Sequence, residues 1–188
     1  MSIDPSFFNR YVPCDNQNLL VELTKTATLQ RFKKGDIVLK MGAQQKWFYL
    51  LKDGITCSYA LQKDGGEVTD CIMAEPGMPV MPTSELDAPS PNYVEALTDC
   101  TLVLLKMQDI CAKAQADPDL AALINRYLAR AWRDHYKTES ALRLLPARDR
   151  YTWFLGEYPG VIDRVSHSRI ASFLGMSPIT LSRVRTGA

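Results

Sequence analysis

The stretch Ser166-His167-Ser168-Arg169-Ile170-Ala171-Ser172-Phe173-Leu174-Gly175-Met176-Ser177-Pro178-Ile179-Thr180-Leu181-Ser182-Arg183-Val184-Arg185 decides the C-terminal part of the fold. Ser166 can accept a hydrogen bond from the free N–H groups of a helix start, and so reads as a cap. Ile170, Ala171 and Leu174 then form an apolar face at helical spacing, and the small Ala171 lets a second helix cross closely. Gly175 stands where the first helix has to end in a left-handed residue. Ser177 caps the next helix and Pro178 takes its first position, where the missing N–H costs nothing. The pattern is helix, short glycine turn, helix.

The second of these helices offers Thr180, Ser182, Arg183 and Arg185 as an outward face. In a DNA-binding helix-turn-helix the second helix enters the major groove, where arginine reads guanine through two hydrogen bonds and hydroxyls reach bases or phosphates. A helical hairpin that binds nothing is the competing reading. Charge separates the two. Residues 1–125 carry 11 Lys/Arg against 16 Asp/Glu, whereas residues 126–188 carry 11 against 5. From Arg164 onward there are four arginines and no acid. A basic tail behind an acidic front suits a part that faces a polyanion.

Working back toward the N-terminus, Asp117 caps and Pro118 opens a long helical stretch. It runs free of Gly and Pro from Asp119 to Leu145, about 27 residues. Leu120, Leu123, Ile124, Tyr127, Leu128, Ala131 and Trp132 recur along it at three- and four-residue steps. Such a stripe packs either on the chain's own β domain or on its copy in a second subunit, and the dimer is the sharper expectation. Pro146 ends or kinks this helix. A shorter helix follows over Arg148–Tyr158, stopped by Pro159-Gly160.

The first two thirds read as short strands: Ala27–Phe32, Ile37–Lys40, Trp47–Leu51, Ile55–Leu61, Glu67–Met73, Tyr93–Leu97 and Thr101–Lys106. Turn signals separate them, the strongest being Lys63-Asp64-Gly65-Gly66. Strands at roughly ten-residue spacing predict a β-sandwich or barrel. The segment Glu75–Pro91 holds five prolines and predicts an irregular excursion of the kind that often carries ligand contacts.

With these residues in hand, the sequence resembles the Crp/Fnr family of bacterial transcription regulators. Ile170 to Arg183 is close to that family's IAxxLGxxxxTxSR signature. Lys34-Gly35-Asp36-Ile37-Val38 with Gly42, and Phe48 to Gly54, resemble turns of its cyclic-nucleotide-binding β-roll. The resemblance implies an α+β chain with three parts. Residues 1–116 would form a double-stranded β-helix or jelly-roll sensor. Residues 117–145 would form a long dimerisation helix. Residues 146–188 would form a helix-turn-helix, winged-helix-like with the wing truncated, since the sequence ends five residues after Arg183. It also implies a homodimer on double-stranded DNA, a small-molecule effector of unknown identity, and RNA polymerase as a partner. By the same resemblance Ser182 and Arg183 contact bases, while Ser168, Arg169, Ser177, Thr180 and Arg185 make backbone or nearby contacts.

Two departures bear on function. Family members often carry a glutamate where this chain has Ile179. Isoleucine cannot accept a hydrogen bond from cytosine, which leaves the familiar half-sites open. Cyclic-nucleotide binders use a Gly-Glu pair for the ribose and an Arg-Ser/Thr pair for the cyclic phosphate. Here Gly77 precedes Met78, the later segment reads Ser90-Pro91-Asn92, and no arginine lies between Arg31 and Arg126. A cyclic phosphate calls for a forked cationic donor, so tight binding of cyclic AMP or cyclic GMP is not expected. An apolar ligand among Met73, Met78, Val80 and Met81 is one alternative for these residues, and ordinary core packing is the other.

Other classes fit less well. The only histidines, His135 and His167, lie in the helical part, and no metal or nucleophile motif occurs, so neither an enzyme nor a resident cofactor is expected. Five scattered cysteines without a C-x-x-C pair read as packed thiols rather than cluster ligands. No signal peptide or membrane-length apolar run is seen, which predicts a cytoplasmic protein with no membrane partner. The remaining rival is a protein-interaction or small-ligand-sensing module with degenerate DNA binding.

Overall fold

The computed structural model describes residues 3–4, 6–81 and 88–187. Two short helices open it, α1 (Ser6–Tyr11) and α2 (Gln17–Thr26). Seven strands follow: β1 (Thr28–Phe32), β2 (Ile37–Leu39), β3 (Trp47–Asp53), β4 (Thr56–Leu61), β5 (Glu67–Met73), β6 (Tyr93–Ala96) and β7 (Cys100–Lys106). The helical part is α3 (Met107–Ala114), α4 (Pro118–Leu144), α5 (Ala147–Glu157), a 3-10 turn at Val161–Asp163, α6 (His167–Phe173) and α7 (Pro178–Thr186).

The strands form two antiparallel sheets, ordered β1-β7-β3 and β2-β6-β4-β5. Leu39, Tyr49, Leu51, Met73, Val80, Val94, Leu102 and Leu104 are buried together as the core of this β-roll. Side chains alternate across a strand, so Phe48 and Leu50 of β3, with Val103 and Leu105 of β7, belong to the opposite face. That face is also buried, under Phe7, Phe8, Leu19, Leu20 and Leu23 of the first two helices and Leu120, Leu123, Ile124 and Tyr127 of α4. Both faces of the three-stranded sheet are therefore covered. This is why β3 and β7 read as unbroken apolar runs rather than as alternating ones.

The β4–β5 hairpin closes where Asp64-Gly65 predicts, with Gln62 N–H donating to the Gly66 carbonyl at 2.7 Å and Gly65 at φ +85°. The described part of the proline-rich segment is not wholly irregular. Leu51 N–H donates to the Met78 carbonyl and Val80 N–H to that of Tyr49, so 77–80 lies along β3 as a short extra rung. The prediction for residues 82–87 falls outside the described residues. Helix α4 spans 27 residues, with Asp117 Oδ1 accepting from Asp119 and Leu120 N–H. Pro146 ends it outright, because α5 begins at the next residue.

A third buried cluster joins the two halves. Ile55, Cys57, Tyr59 and Ile72 from the β-roll pack with Phe154, Val161, Ile170, Phe173 and Leu181 from the C-terminal helices. The helical tail is docked on the four-stranded sheet.

Candidate nucleic-acid interface and sensor interior

Helices α6 and α7 are built by their caps. Ser166 Oγ accepts from Arg169 N–H at 3.4 Å, and Ser177 Oγ accepts from Thr180 N–H at 3.0 Å. Between them Gly175 has φ +60°, and Met176 N–H reaches back to the Ala171 carbonyl at 3.0 Å. A Cβ at 175 would stand in ordinary van der Waals contact with Arg150 Nη1 at 3.5 Å and Leu142 Cδ2 at 3.8 Å. The left-handed backbone, not space, is what calls for glycine there. Ile170, Ala171, Leu174 and Leu181 are wholly buried and fix the crossing of the two helices.

The predicted DNA contacts divide into three kinds. Ser182 and Arg183 are exposed, and the Arg183 guanidinium has no partner among the described residues. Ile179 shares their face, being three and four residues earlier, and is 66% exposed. Ser177, Thr180 and Ser168 are engaged locally: the Ser177 and Thr180 hydroxyls lie 2.9 Å apart, and those of Ser166 and Ser168 3.2 Å apart. Arg185 is exposed, with Nη1 2.6 Å from His167 Nε2.

Arg169 requires a correction. Its side chain is only 13% exposed and turns to the β-roll, away from the outward face. Nη1 pairs with Glu67 Oε2 of β5 at 2.7 Å and Nη2 with Glu95 Oε2 of β6 at 2.5 Å. Its Cζ lies 4.4 Å from the Tyr59 ring centroid, and that ring stacks on Tyr93. The physical reason is local acid: the strands under α6 present two carboxylates and an aromatic face, which together satisfy a guanidinium better than open solvent does. Ser172 completes the contact. Its Oγ accepts from Thr69 N–H at 2.9 Å and donates to the Glu67 carbonyl at 3.1 Å, covering the edge of β5. A cleft of about 580 Å³ beside this joint is lined by Lys34, Glu67, Glu95, Ser166, Ser168 and Arg169 among others.

Most of the residues suggested for pairing α4 with a second copy are occupied within the chain. Leu120, Leu123, Ile124 and Tyr127 are buried against the three-stranded sheet and the N-terminal helices, and Leu128 is half-buried on the same cluster. Ala131 is exposed. The open apolar side of α4 is carried by Trp132, 73% exposed, and Tyr136, 63% exposed, in line with Leu128 at four-residue steps. Helical periodicity put Trp132 on the stripe but could not say which side the β domain would claim.

The candidate pocket residues are largely structural. Met73 and Val80 are core, Met81 packs on the cluster beneath α4, and Met78 borders a cleft with Arg130, Trp153 and Tyr158. Gly77 has φ +83°, and a Cβ there would lie 2.7 Å from Tyr11 Cβ, so the N-terminal helix occupies that space. Ser90 is buried, with Oγ donating to the Asn92 carbonyl at 2.5 Å; Asn92 Nδ2 reaches Asp70 at 3.4 Å. The Ser90 hydroxyl is thereby committed within its own turn.

Burial pushes the Cys57 thiol up to about 12 and that of Cys100 up to about 11. Both are neutral packing groups at physiological pH, unlike reactive thiolates. Among the described residues no cluster of three or more His, Cys, Asp or Glu is placed to hold a metal ion, and no helix is long and apolar enough to cross a membrane.

Comparison with known proteins agrees with this geometry. Residues 29–117 match the family of the cyclic nucleotide-binding domain. No curated protein sequence matches the chain. Among solved structures it is similar to FixK2 from Bradyrhizobium japonicum, at 21% identity over 86% of this chain and 83% of that one, with a TM-score of 0.74. It is also similar to TTHB099, a transcriptional regulator of the CRP family from Thermus thermophilus, at 23% identity over 84% and 83% with a TM-score of 0.68. A third is the c-di-GMP responsive global regulator CLP of Xanthomonas campestris, at 19% identity over 89% of each chain with a TM-score of 0.66. The class is thus a cyclic nucleotide-binding fold followed by a helical C-terminal region. Over most of its length the chain is similar in fold to these three solved regulators.

Proposed function

We propose that the chain is a sequence-specific, DNA-binding transcription regulator of the Crp/Fnr type, whose β-roll does not respond to cyclic AMP. The observation that carries this reading is the outward face of α7. There Ser182 and an Arg183 without a partner among the described residues stand exposed on a helix whose own caps and buried face hold it rigid. A free guanidinium on a preorganised helix is suited to read guanine in the major groove. The exposed Trp132–Tyr136 side of α4 supports a homodimer, which would place two such helices on a two-fold-symmetric site. Any effector acts through the joint that ties α6 to β5 and β6. A change in those strands moves Arg169 and Ser172, and with them the angle of α7. In this reading the protein works in the cytoplasm and engages RNA polymerase from its promoter site.

Selection of bound sequences from a random duplex pool tests the proposal. The expected result is a two-fold-symmetric site that Arg183→Ala no longer enriches. Absence of enrichment, with and without cell extract to supply an effector, overturns it in favour of an interaction module.

A further inference from the structure

The outward face of α7 holds one residue that neither charge nor hydrogen bonding explains. Ile179 lies in the first turn of the helix and is 66% exposed, while Leu181, two residues on, is fully buried. Its neighbours on that face are Pro178, Ser182 and Arg183, all exposed, and it is the one exposed large hydrophobic side chain among the described residues of α6 and α7. The exposed side of α4, by contrast, sets two together, Trp132 and Tyr136. An isolated branched aliphatic group, set among hydroxyls and a guanidinium, matches a partner that is polyanionic and carries single apolar groups at fixed spacing. The major groove of DNA is that surface, and its apolar group is the 5-methyl of thymine.

We infer that Ile179 is a specificity-determining residue that packs on a thymine methyl, fixing a T·A pair in each half-site next to the base read by Arg183. This rests on the DNA-binding reading above and sharpens it. Register follows from helix geometry. Ile179 and Arg183 are four residues apart, about 6 Å along the axis. Stacked bases are about 3.4 Å apart. The thymine therefore lies within about two base pairs of the guanine. Burying one methyl against isoleucine is worth about fourfold in affinity per half-site, and about 16-fold for both.

The test uses the full chain and the site it selects, with deoxyuridine replacing thymidine one position at a time so that only the methyl is lost. One symmetric position is expected to lose about fourfold per half-site. Ile179→Ala is expected to bind the thymine and uracil duplexes equally, and Ile179→Glu to shift selection at that position toward C·G, whose amino group a carboxylate accepts. The inference is overturned if uracil is tolerated at every position, or if Ile179→Ala keeps the same uracil penalty. Failure to enrich any site overturns the regulator reading itself, which is a distinct result.

Discussion

Arg169 offers the sharpest test, because the sequence pattern and the structure give it different jobs. Replacing it by alanine removes a guanidinium that is 13% exposed and leaves Glu95, 18% exposed, facing the interior without its counter-charge. Breaking a fully buried pair destabilises by about 3–5 kcal/mol and an exposed one by at most about 1 kcal/mol. The Glu67 arm is half-exposed and screened, so most of the effect comes from Glu95 and from the contact with Tyr59. An intermediate loss of about 2 kcal/mol follows, or about 4–8 °C in Tm for a chain of this length. Thermal melting of Arg169→Ala, Glu95→Gln and the double variant reads it directly. The two single losses should not add, with a coupling of about 1 kcal/mol. The alternative, a phosphate contact, has a different signature: unchanged Tm, and a DNA affinity whose salt slope falls by about one. That result would refute the assignment of Arg169 to the joint.

Three further outcomes are expected. Titration calorimetry with cyclic AMP should show no binding in the micromolar range, since Ser90 is buried and spent on the Asn92 carbonyl; micromolar heat would contradict this. Trp132→Glu should leave the far-ultraviolet circular dichroism of the folded chain unchanged, because the ring is 73% exposed within one chain, yet shift the species seen by sedimentation from dimer to monomer. Cys57 has an ordinary value of 9.0 that burial raises to about 12, so the folded state holds its proton more tightly than the unfolded chain. Its contribution is fully present below pH 9.0 and fades as pH climbs toward 12, so Tm in reducing buffer should fall over that alkaline window and fall less in Cys57→Ala.

Much of the architecture was legible from local signals. The glycine turn at 175, the serine caps at 166 and 177 and the run from Pro118 to Leu144 each follow from one residue's backbone or side-chain chemistry, and β5 matches its predicted range end to end. Most of what was missed depends on distant partners. Helix α1 is only six residues long, whereas α2 carries an Asn16 cap and a Leu19, Leu20 and Leu23 face that could have announced it; Phe7, Phe8, Leu19 and Leu23 together cover β3 and β7. Nothing near Arg169 in sequence announces Glu67 or Glu95, which lie about a hundred and about seventy residues earlier. Likewise the helical period of α4 shows that Tyr127 and Trp132 are both apolar. Only the packed sheet shows that one faces inward and the other outward.

The hydrogen bonds from Ser172 have a consequence for how the molecule can be taken apart. Strand β5 is the outermost of its sheet, and α6 covers its backbone at Thr69 while Phe173 and Leu174 roof the same side. A chain cut after α4 would lose this cover and present a naked β edge beside freshly exposed Cys57, Tyr59 and Ile72. Such an edge recruits further strands. An isolated sensor half should therefore polymerise rather than remain discrete, and the C-terminal helices act as a solubilising lid for the half they follow.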